Sequence, residues 1–147
     1  MVLLICACSP HIDVFEKDVA IPAQQWESGF KPQIVFAVTD TASLYDVYLV
    51  LRHTDAYNYN NIWVRATVQQ PGDTLARSQQ FDLTLANSEK GWLGSAMDDI
   101  YEQRILIQPQ TKFTRKGSYH FTIEQIMRED PLKHVLNVGV RVEKSNR

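Results

Sequence analysis

Four histidines are the side chains in this sequence best suited to metal binding or acid–base chemistry: His11, His53, His120 and His134. A metal site needs several such ligands on one side of the fold. The sequence offers only two local pairs of candidate ligands, His53 with Asp55, and His120 with Glu124 on one face of a strand. Neither an HExxH motif nor a pair of CxxC motifs accompanies them. We therefore interpret these pairs as residues of solvated strand faces and predict no metal and no cofactor.

Two adjacent acids in the stretch GSAMDDIYEQR, Asp98 and Asp99, are the remaining candidates for a metal site. With Glu102 they could supply oxygen ligands to Ca²⁺, or act on a glycoside if another carboxylate lay across a cleft. The alternative, which we favour, is a turn in which an Asp side chain bonds backbone amides. No GxSxG motif is present to expose a nucleophilic serine. The sequence therefore predicts a protein that is not an enzyme.

The segment TDAYNYNNIW is richer in aromatic and amide groups than a plain loop requires. Its aromatic rings could stack on a sugar or a peptide while its asparagines form hydrogen bonds. A protein partner would use the same side chains, and a third interpretation is that the loop packs over an open end of the fold. The predicted contact residues, including two from elsewhere in the chain, are Tyr57, Tyr59, Asn60, Trp63, Trp92 and Arg128.

The elements that must position these residues are strands, because the dominant hydrophobic period is two. Alternation occurs in YDVYLVLRH, NIWVRATVQ, FDLTLA, SYHFTIEQI and NVGVRVEK, and RILIQ and DVFEKDVAI add two candidates. QIVFAVTD is apolar on both faces, which predicts a central or doubly covered strand. One helical turn is expected around QIMREDPLKHV, limited by Pro131. About eight strands with turns between them predict an all-β, single β-sandwich, with jelly-roll connections as one arrangement.

Composition restricts the kind of partner. The chain has 147 residues, a net charge of -2 and 44% hydrophobic residues, which suits one domain with a real core. Its pI is near 6.1 and it has no basic motif, so nucleic acid is excluded as the main partner. No apolar run beyond Cys8 approaches the roughly 20 residues of a membrane helix. Any attachment to a membrane would therefore come from a lipid.

The first residues, MVLLICACSP, resemble the end of a lipoprotein signal. Ile5 lies three residues before Cys8 and the small Ala7 lies just before it, which makes Cys8 a better lipid acceptor than Cys6. An ordinary apolar N-terminus with two buried thiols is the alternative. We predict a signal-peptide remnant over 1–7, a lipidated tether and first strand region over 8–25, and the β-sandwich domain over 26–147.

Several motifs in order resemble the gliding motility lipoproteins of the Bacteroidetes called GldH. They are the lipobox-like ICAC, then TDT, Y-x-N-I-W, G-x-W-L-G, Q-x-M-R-x-D-P-L and VG-x-R-VEK. The resemblance extends over nearly the whole chain from Cys8 onward. It departs from the family pattern at Ala96, where a further glycine is expected, and in the absence of a basic residue before Cys8.

This resemblance implies an accessory lipoprotein of the gliding and type IX secretion apparatus that associates with other Gld lipoproteins or secretion-core proteins. It implies attachment to the outer membrane through Cys8. Ser9 follows this cysteine and SPHIDVFEKD lacks a dense acidic run, which favours the periplasmic side over surface export. The family offers no catalytic residues to transfer. The alternative function from a different class is that of a carbohydrate-binding β-sandwich lipoprotein, which would use the segment TDAYNYNNIW, here called the Tyr–Asn loop.

Overall fold

A computed structural model describes residues 14–145 and shows thirteen β-strands joined by turns within that range. One 3₁₀ turn, Pro22–Gln24, is the sole helical element of the described part of the chain. The strands are β1 (Val14–Ala20), β2 (Gln25–Trp26), β3 (Gln33–Val38), β4 (Leu44–Thr54), β5 (Asn61–Gln69), β6 (Ala76–Thr84), β7 (Ala86–Asn87), β8 (Gly91–Trp92), β9 (Ser95–Met97), β10 (Ile100–Lys112), β11 (Gly117–Gln125), β12 (Leu132–Lys133) and β13 (Val135–Lys144).

The long strands form two sheets packed face to face. One sheet has the order β1-β13-β4-β10-β9 and the other the order β3-β11-β5-β6. Eight of these strands have six or more residues, and along the chain each successive one lies in the opposite sheet, except for the hairpin β5–β6. This order is that of an eight-stranded jelly roll. The predictions of an all-β sandwich, of about eight main strands and of jelly-roll connections are confirmed.

Alternation of apolar residues determines which face of each strand is buried. Ile62, Val64 and Ala66 of β5 face the space between the sheets, and so do Tyr119 and Phe121 of β11. From the other sheet, β4 and β13 contribute the remaining inner side chains: Val47, Leu49, Leu51, Val138, Val140 and Val142. Burying one such side chain stabilises the fold by about 1.5–3 kcal/mol, so this alternation provides much of the driving force for the sandwich.

The prediction that QIVFAVTD forms a central or doubly covered strand is wrong. Strand β3 pairs only with β11 and lies at the edge of its sheet. Ile34, Phe36 and Val38 are buried, whereas Val35 is 41% exposed. An apolar side chain is not excluded from the surface of a folded protein, so the second apolar face of this segment does not imply a second covering layer.

The helical turn predicted around QIMREDPLKHV is also wrong. Residues 126–127 have no regular structure, residues 128–131 form bends, and β12 follows. The buried Gln125 side chain bonds the backbone here: its Oε1 accepts the Met127 N–H at 2.8 Å and its Nε2 donates to Glu129 O at 3.3 Å. These side-chain bonds satisfy backbone groups that a helix would otherwise pair.

Strand β1 pairs with β13 over its full length, from Val14 opposite Glu143 to Ala20 opposite Asn137. The approach is close at Gly139, where an added Cβ would collide with Lys17 O and with Asp18. The predicted leader and the lipid acceptor Cys8 lie outside the described residues. Among the residues that are described, no helix is long and apolar enough to cross a membrane.

Candidate functional site

Aromatic rings gather around His53 at one end of β4, and we call His53, Tyr57, Trp92 and Tyr101 the His53 cluster. The imidazole lies 4.6 Å from the Trp92 ring, 5.4 Å from Tyr57 and 5.7 Å from Tyr101, measured between centroids. The Tyr101 ring is nearly parallel to it, with an interplanar angle of 15°. His53 has no exposed surface, so the interpretation of this histidine as part of a solvated strand face is wrong.

The polar atoms of His53 are fully bonded inside this cluster. Thr54 O lies 2.8 Å from Nδ1, and because a carbonyl can only accept, Nδ1 carries the proton. Gln103 Nε2 lies 3.1 Å from Leu85 O and 2.8 Å from His53 Nε2, so its two N–H groups donate to both. Burial lowers the pKa of His53 below its ordinary value, against the opposing effect of the Thr54 hydrogen bond. The arrangement holds a neutral imidazole and leaves it no free nitrogen for a metal or a substrate.

The Tyr–Asn loop divides into a buried and an exposed part. Tyr57 is 4% exposed, and its hydroxyl donates to Asn61 O at 2.8 Å. Burial, and next the neighbouring Tyr59, raises the pKa of the Tyr57 hydroxyl. Asn60 has an exposed side chain, but its backbone oxygen accepts the N–H groups of Leu85 and Ala86. Tyr57 therefore closes the end of the sandwich from inside, as the packing interpretation of this loop anticipated.

The second part lies nearer the surface, and we call Tyr59, Trp63, Met127 and Arg128 the rim patch. Trp63 and Arg128 are exposed, whereas Tyr59 and Met127 are partly buried against the core. Arg128 Cζ lies 4.5 Å from the centroid of the Tyr59 ring, a cation–π geometry. Met127 Sδ accepts the backbone N–H of Trp63 at 3.1 Å, and Trp63 as a residue is 39% exposed. Burial, followed by hydrogen bonding to Glu129, raises the pKa of Tyr59. The structure thus brings together three of the predicted contact residues, while Trp92 packs on His53.

The remaining candidates for metal binding are carboxylates and one histidine that do not assemble into a metal site within residues 14–145. Asp98 and Asp99 occupy the exposed two-residue turn between β9 and β10, where Asp98 has a φ of 54°. Glu102, their proposed companion, is bonded to Arg104 at 3.1 Å. Glu124, the proposed companion of His120, is bonded to Arg65 at 2.8 Å. Within residues 14–145 no three His, Cys, Asp or Glu side chains lie close enough to hold a metal ion.

A second aromatic group, which sequence reasoning missed, lies toward the opposite end of β4. We call Phe36, Phe113, Tyr119 and Phe121 the Phe36 cluster. The Phe36 ring lies 5.4 Å from Phe113, 5.6 Å from Tyr119 and 5.4 Å from Phe121. The alternation of β11 placed Tyr119 and Phe121 on one face of the strand, but the sequence did not show that these two rings meet Phe36 and Phe113.

A cleft of about 530 Å³ opens beside the Phe36 cluster, between the edge strand β6 of one sheet and β10 of the other. Its floor is apolar, and its rim carries Asp73, Arg77 and Lys112. Its size falls in the range of small-molecule sites. No sequence motif indicated this cleft, because its position depends on which strands lie at the edges of the two sheets.

On the outer face of the five-stranded sheet, charged side chains tie several strands together. Arg104 Nε donates to Glu16 Oε1 at 2.6 Å, and Arg141 lies 3.6 Å from the same carboxylate. Hydrogen bonding to Arg104, aided by both guanidinium charges, lowers the pKa of Glu16. These partly exposed ion pairs fasten β1 to the rest of its sheet.

Comparison with known proteins establishes the relationship that the motifs suggested. The profile of the family described as GldH lipoprotein matches residues 13–142. The chain belongs to the GldH lipoprotein family. It is therefore a lipoprotein of the cell envelope in a family involved in gliding motility, and the resemblance drawn from the motifs is confirmed.

Two relatives support the same assignment. The gliding motility lipoprotein GldH homolog of Christiangramia forsetii is 29% identical over 115 residues, which is 73% of this chain and 70% of the relative. The gliding motility lipoprotein GldH of Flavobacterium johnsoniae is 25% identical over 116 residues, 74% of this chain and 71% of that protein.

Among solved structures, the VP2 subviral particle of infectious bursal disease virus aligns with 89% of this chain and 32% of its own chain. The TM-score is 0.42 and the identity is 14%. A likeness this low adds nothing to the fold assignment, which follows from the strand order.

Proposed function

We propose that this protein is a non-catalytic accessory component that supports gliding motility and type IX secretion by binding another envelope protein. In this proposal Cys8 carries the lipid and holds the domain at the periplasmic face of the outer membrane. Membership of the GldH family supports the link to motility. Confinement to a membrane surface raises the effective concentration of the domain for partners there.

The observation that carries the binding role is the rim patch. Tyr, Trp, Met and Arg are the residue types enriched at protein interfaces, and Trp, Tyr and Arg dominate the energetic hot spots. Here Trp63 is 39% exposed next to Met127, and Arg128 lies over Tyr59. A partner that covered this patch would bury an indole, a thioether and a planar cation together. The partner that we propose is another Gld-type lipoprotein or a secretion-core protein.

The same geometry weighs against the carbohydrate-binding alternative. A sugar platform needs open aromatic faces, but Tyr57 is buried and Arg128 covers one face of Tyr59. Only Trp63 in this loop offers a free ring surface of useful size. A glycan array with the soluble domain tests the alternative directly, since a glycan bound by this domain and lost on Tyr59→Ala would favour sugar recognition.

The test of the binding role compares two double variants in cells that lack the natural protein. Trp63→Ala with Arg128→Ala removes the centre of the rim patch. The control, Val35→Ala with Lys90→Ala, removes a similarly exposed apolar group and a cation elsewhere. We expect the patch variant to fold but to recover no envelope partner in cross-linking pull-downs and to fail in gliding or secretion. A patch variant as active as the control would refute the role of this surface.

Cys8→Ser tests the anchor separately. We expect a folded, soluble domain that no longer supports secretion or motility, because it is not held at the membrane where its partners lie. Cell fractionation and a secretion assay measure the two effects. A Cys8→Ser protein with full activity would refute the anchoring part of the proposal and leave the rim patch to be judged on its own variants.

A further inference from the structure

The cleft between β6 and β10 has an apolar floor formed by both sheets. Ala66 and Val68 of β5 and Phe121 of β11 line one wall, while Ile107 of β10 lines the other, together with Phe113. Phe113 and Phe121 are 5% and 1% exposed, so the floor is made of well-packed core residues. The cleft therefore offers apolar surface that is fixed in position before anything binds.

Positive charge is in excess at the rim of the cleft. Arg77 stands opposite Val68 in the β5–β6 ladder, so it lies on the inner face of its strand, toward the cleft. Lys112 approaches from β10 on the other wall. Within residues 14–145 neither cation lies within 4 Å of a carboxylate, and the one acid of the rim, Asp73, is paired with Arg115 at 3.3 Å. An anionic group is the complement of this rim.

The two edges that flank the cleft are poorly suited to pairing with an added strand. Pro109 removes a backbone donor from β10, and the register of β10 against β4 shifts between Leu106 and Gln108 and again between Gln108 and Thr111. Arg77 points inward from the opposite edge. Proline, bulges and inward-pointing charges are devices by which natural sheets prevent edge pairing. The occupant is therefore a small molecule with an apolar body and not an extended peptide.

From this floor and this rim we propose that the cleft binds a small amphiphilic carboxylate. Its apolar body lies on the partly exposed Val68 and Ile107, and its carboxylate accepts hydrogen bonds from Arg77 and Lys112. Charge-assisted bonds of this type are the stronger class of hydrogen bond, and the floor supplies the apolar contact that dominates small-molecule sites. The site is separate from the rim patch, so it stands or falls independently of the proposed partner binding.

Sodium decanoate, used below its critical micelle concentration, is the probe for this site. Methyl-resolved NMR on the folded domain should show saturable shifts confined to Ala66, Val68, Ile107 and their neighbours. Decanol, which has the same chain without the charge, should bind at least about tenfold more weakly, a difference of about 1.4 kcal/mol. Saturable decanoate binding with this pattern supports the proposal.

Arg77→Gln and Lys112→Gln should each weaken decanoate binding about threefold to tenfold, while the control Lys90→Gln, which changes an exposed lysine outside the cleft, should leave it unchanged. All three side chains are exposed, so we expect each variant to fold, and a thermal melt of each variant checks this. The proposal is overturned by no saturable binding, by equal binding of decanol, or by equal affinities of the three variants. It is also overturned if an extended acidic peptide occupies the cleft where decanoate does not.

Discussion

The two aromatic clusters at opposite ends of β4 are built differently. The His53 cluster surrounds a polar centre, in which the imidazole and the Gln103 amide use their nitrogens on each other and on two carbonyls. The Phe36 cluster has a phenyl ring at its centre, which packs against other aromatic rings. The two central side chains are both buried, His53 being 0% and Phe36 4% exposed, so the two centres differ in how they respond to a proton or a substitution.

The contrast shows two ways of closing a sandwich. An apolar centre is stabilised by contact area and shape, so its weakness is a cavity. A polar centre is stabilised only while each buried donor and acceptor has a partner, so its weakness is a change of protonation or a lost hydrogen bond. The expected responses of the two ends to mutation and to pH therefore differ in kind.

The largest effect is expected at the Phe36 cluster. Phe36→Ala removes the ring that four others contact, Phe15 among them, and we expect a loss of about 3–5 kcal/mol in the free energy of unfolding. Urea denaturation measures it. Val35→Ala on the same strand, where the side chain is 41% exposed, is the control, and a change within about 0.5 kcal/mol is expected there. Equal losses for the two variants would show that the cluster does not act as a packing centre.

An intermediate effect is expected on acidification, and only at the His53 cluster. Burial lowers the pKa of His53 in the folded protein below the ordinary value of 6.5. At pH values between the folded pKa and 6.5, the unfolded chain therefore binds more protons than the folded chain. This contribution to stability is complete above pH 6.5 and is lost as the pH falls through the folded pKa. Because a single proton is involved, the free energy of unfolding falls by at most about 1.4 kcal/mol per pH unit.

Denaturation at a series of pH values between 8 and 5 measures this slope. His53→Gln should flatten the profile, while Phe36→Leu should lower stability without flattening it. If the profile of His53→Gln keeps the slope of the unmodified protein, another group is responsible and the contrast between the two ends loses its electrostatic basis.

The smallest effect comes from a matched pair of hydroxyl deletions. Tyr57→Phe leaves Asn61 O without its donor and should cost about 0.5–1.5 kcal/mol. Tyr119→Phe removes an oxygen that donates to Arg115 O at 2.9 Å and accepts the Arg115 N–H at 3.2 Å. Since two backbone groups lose a partner in Tyr119→Phe, we expect this variant to lose more free energy of unfolding than Tyr57→Phe. Chemical denaturation of both variants gives the order, and the reverse order would contradict this accounting.

The sequence was informative where one local pattern determines one local structure. The alternating residues of β4, β5, β11 and β13 are buried as the period of two requires. The pattern failed for β3, because hydrophobicity on two faces does not reveal whether a strand lies in the middle of a sheet or at its edge. It failed near Met127 because the Gln125 side chain, bonded to the backbone on both sides of Arg128, replaces the helical ladder.

The candidate sites depend on contacts between residues far apart in sequence. Tyr59 and Trp63 were predicted from one aromatic stretch, and Arg128 joins them because β5 and β11 are neighbours in the sheet. Gln103 has no motif of its own, and its role becomes visible only when Leu85 and His53 are in place. The cleft followed from no pattern, because Arg77 and Lys112 lie on different sheets.

The pairing of β1 with β13 has a mechanical consequence. A pull on the chain ahead of Val14 runs along β1, and the ladder bonds of an antiparallel pair lie perpendicular to the strands. Seven residue pairs from Val14–Glu143 to Ala20–Asn137 therefore bear the load together in shear instead of opening one after another. Glu16, bonded to Arg104 on β10 and near Arg141 on β13, passes part of that load across the sheet. Strand β1, which follows the proposed anchor in sequence, is thus attached by bonds that resist a pull along its own axis.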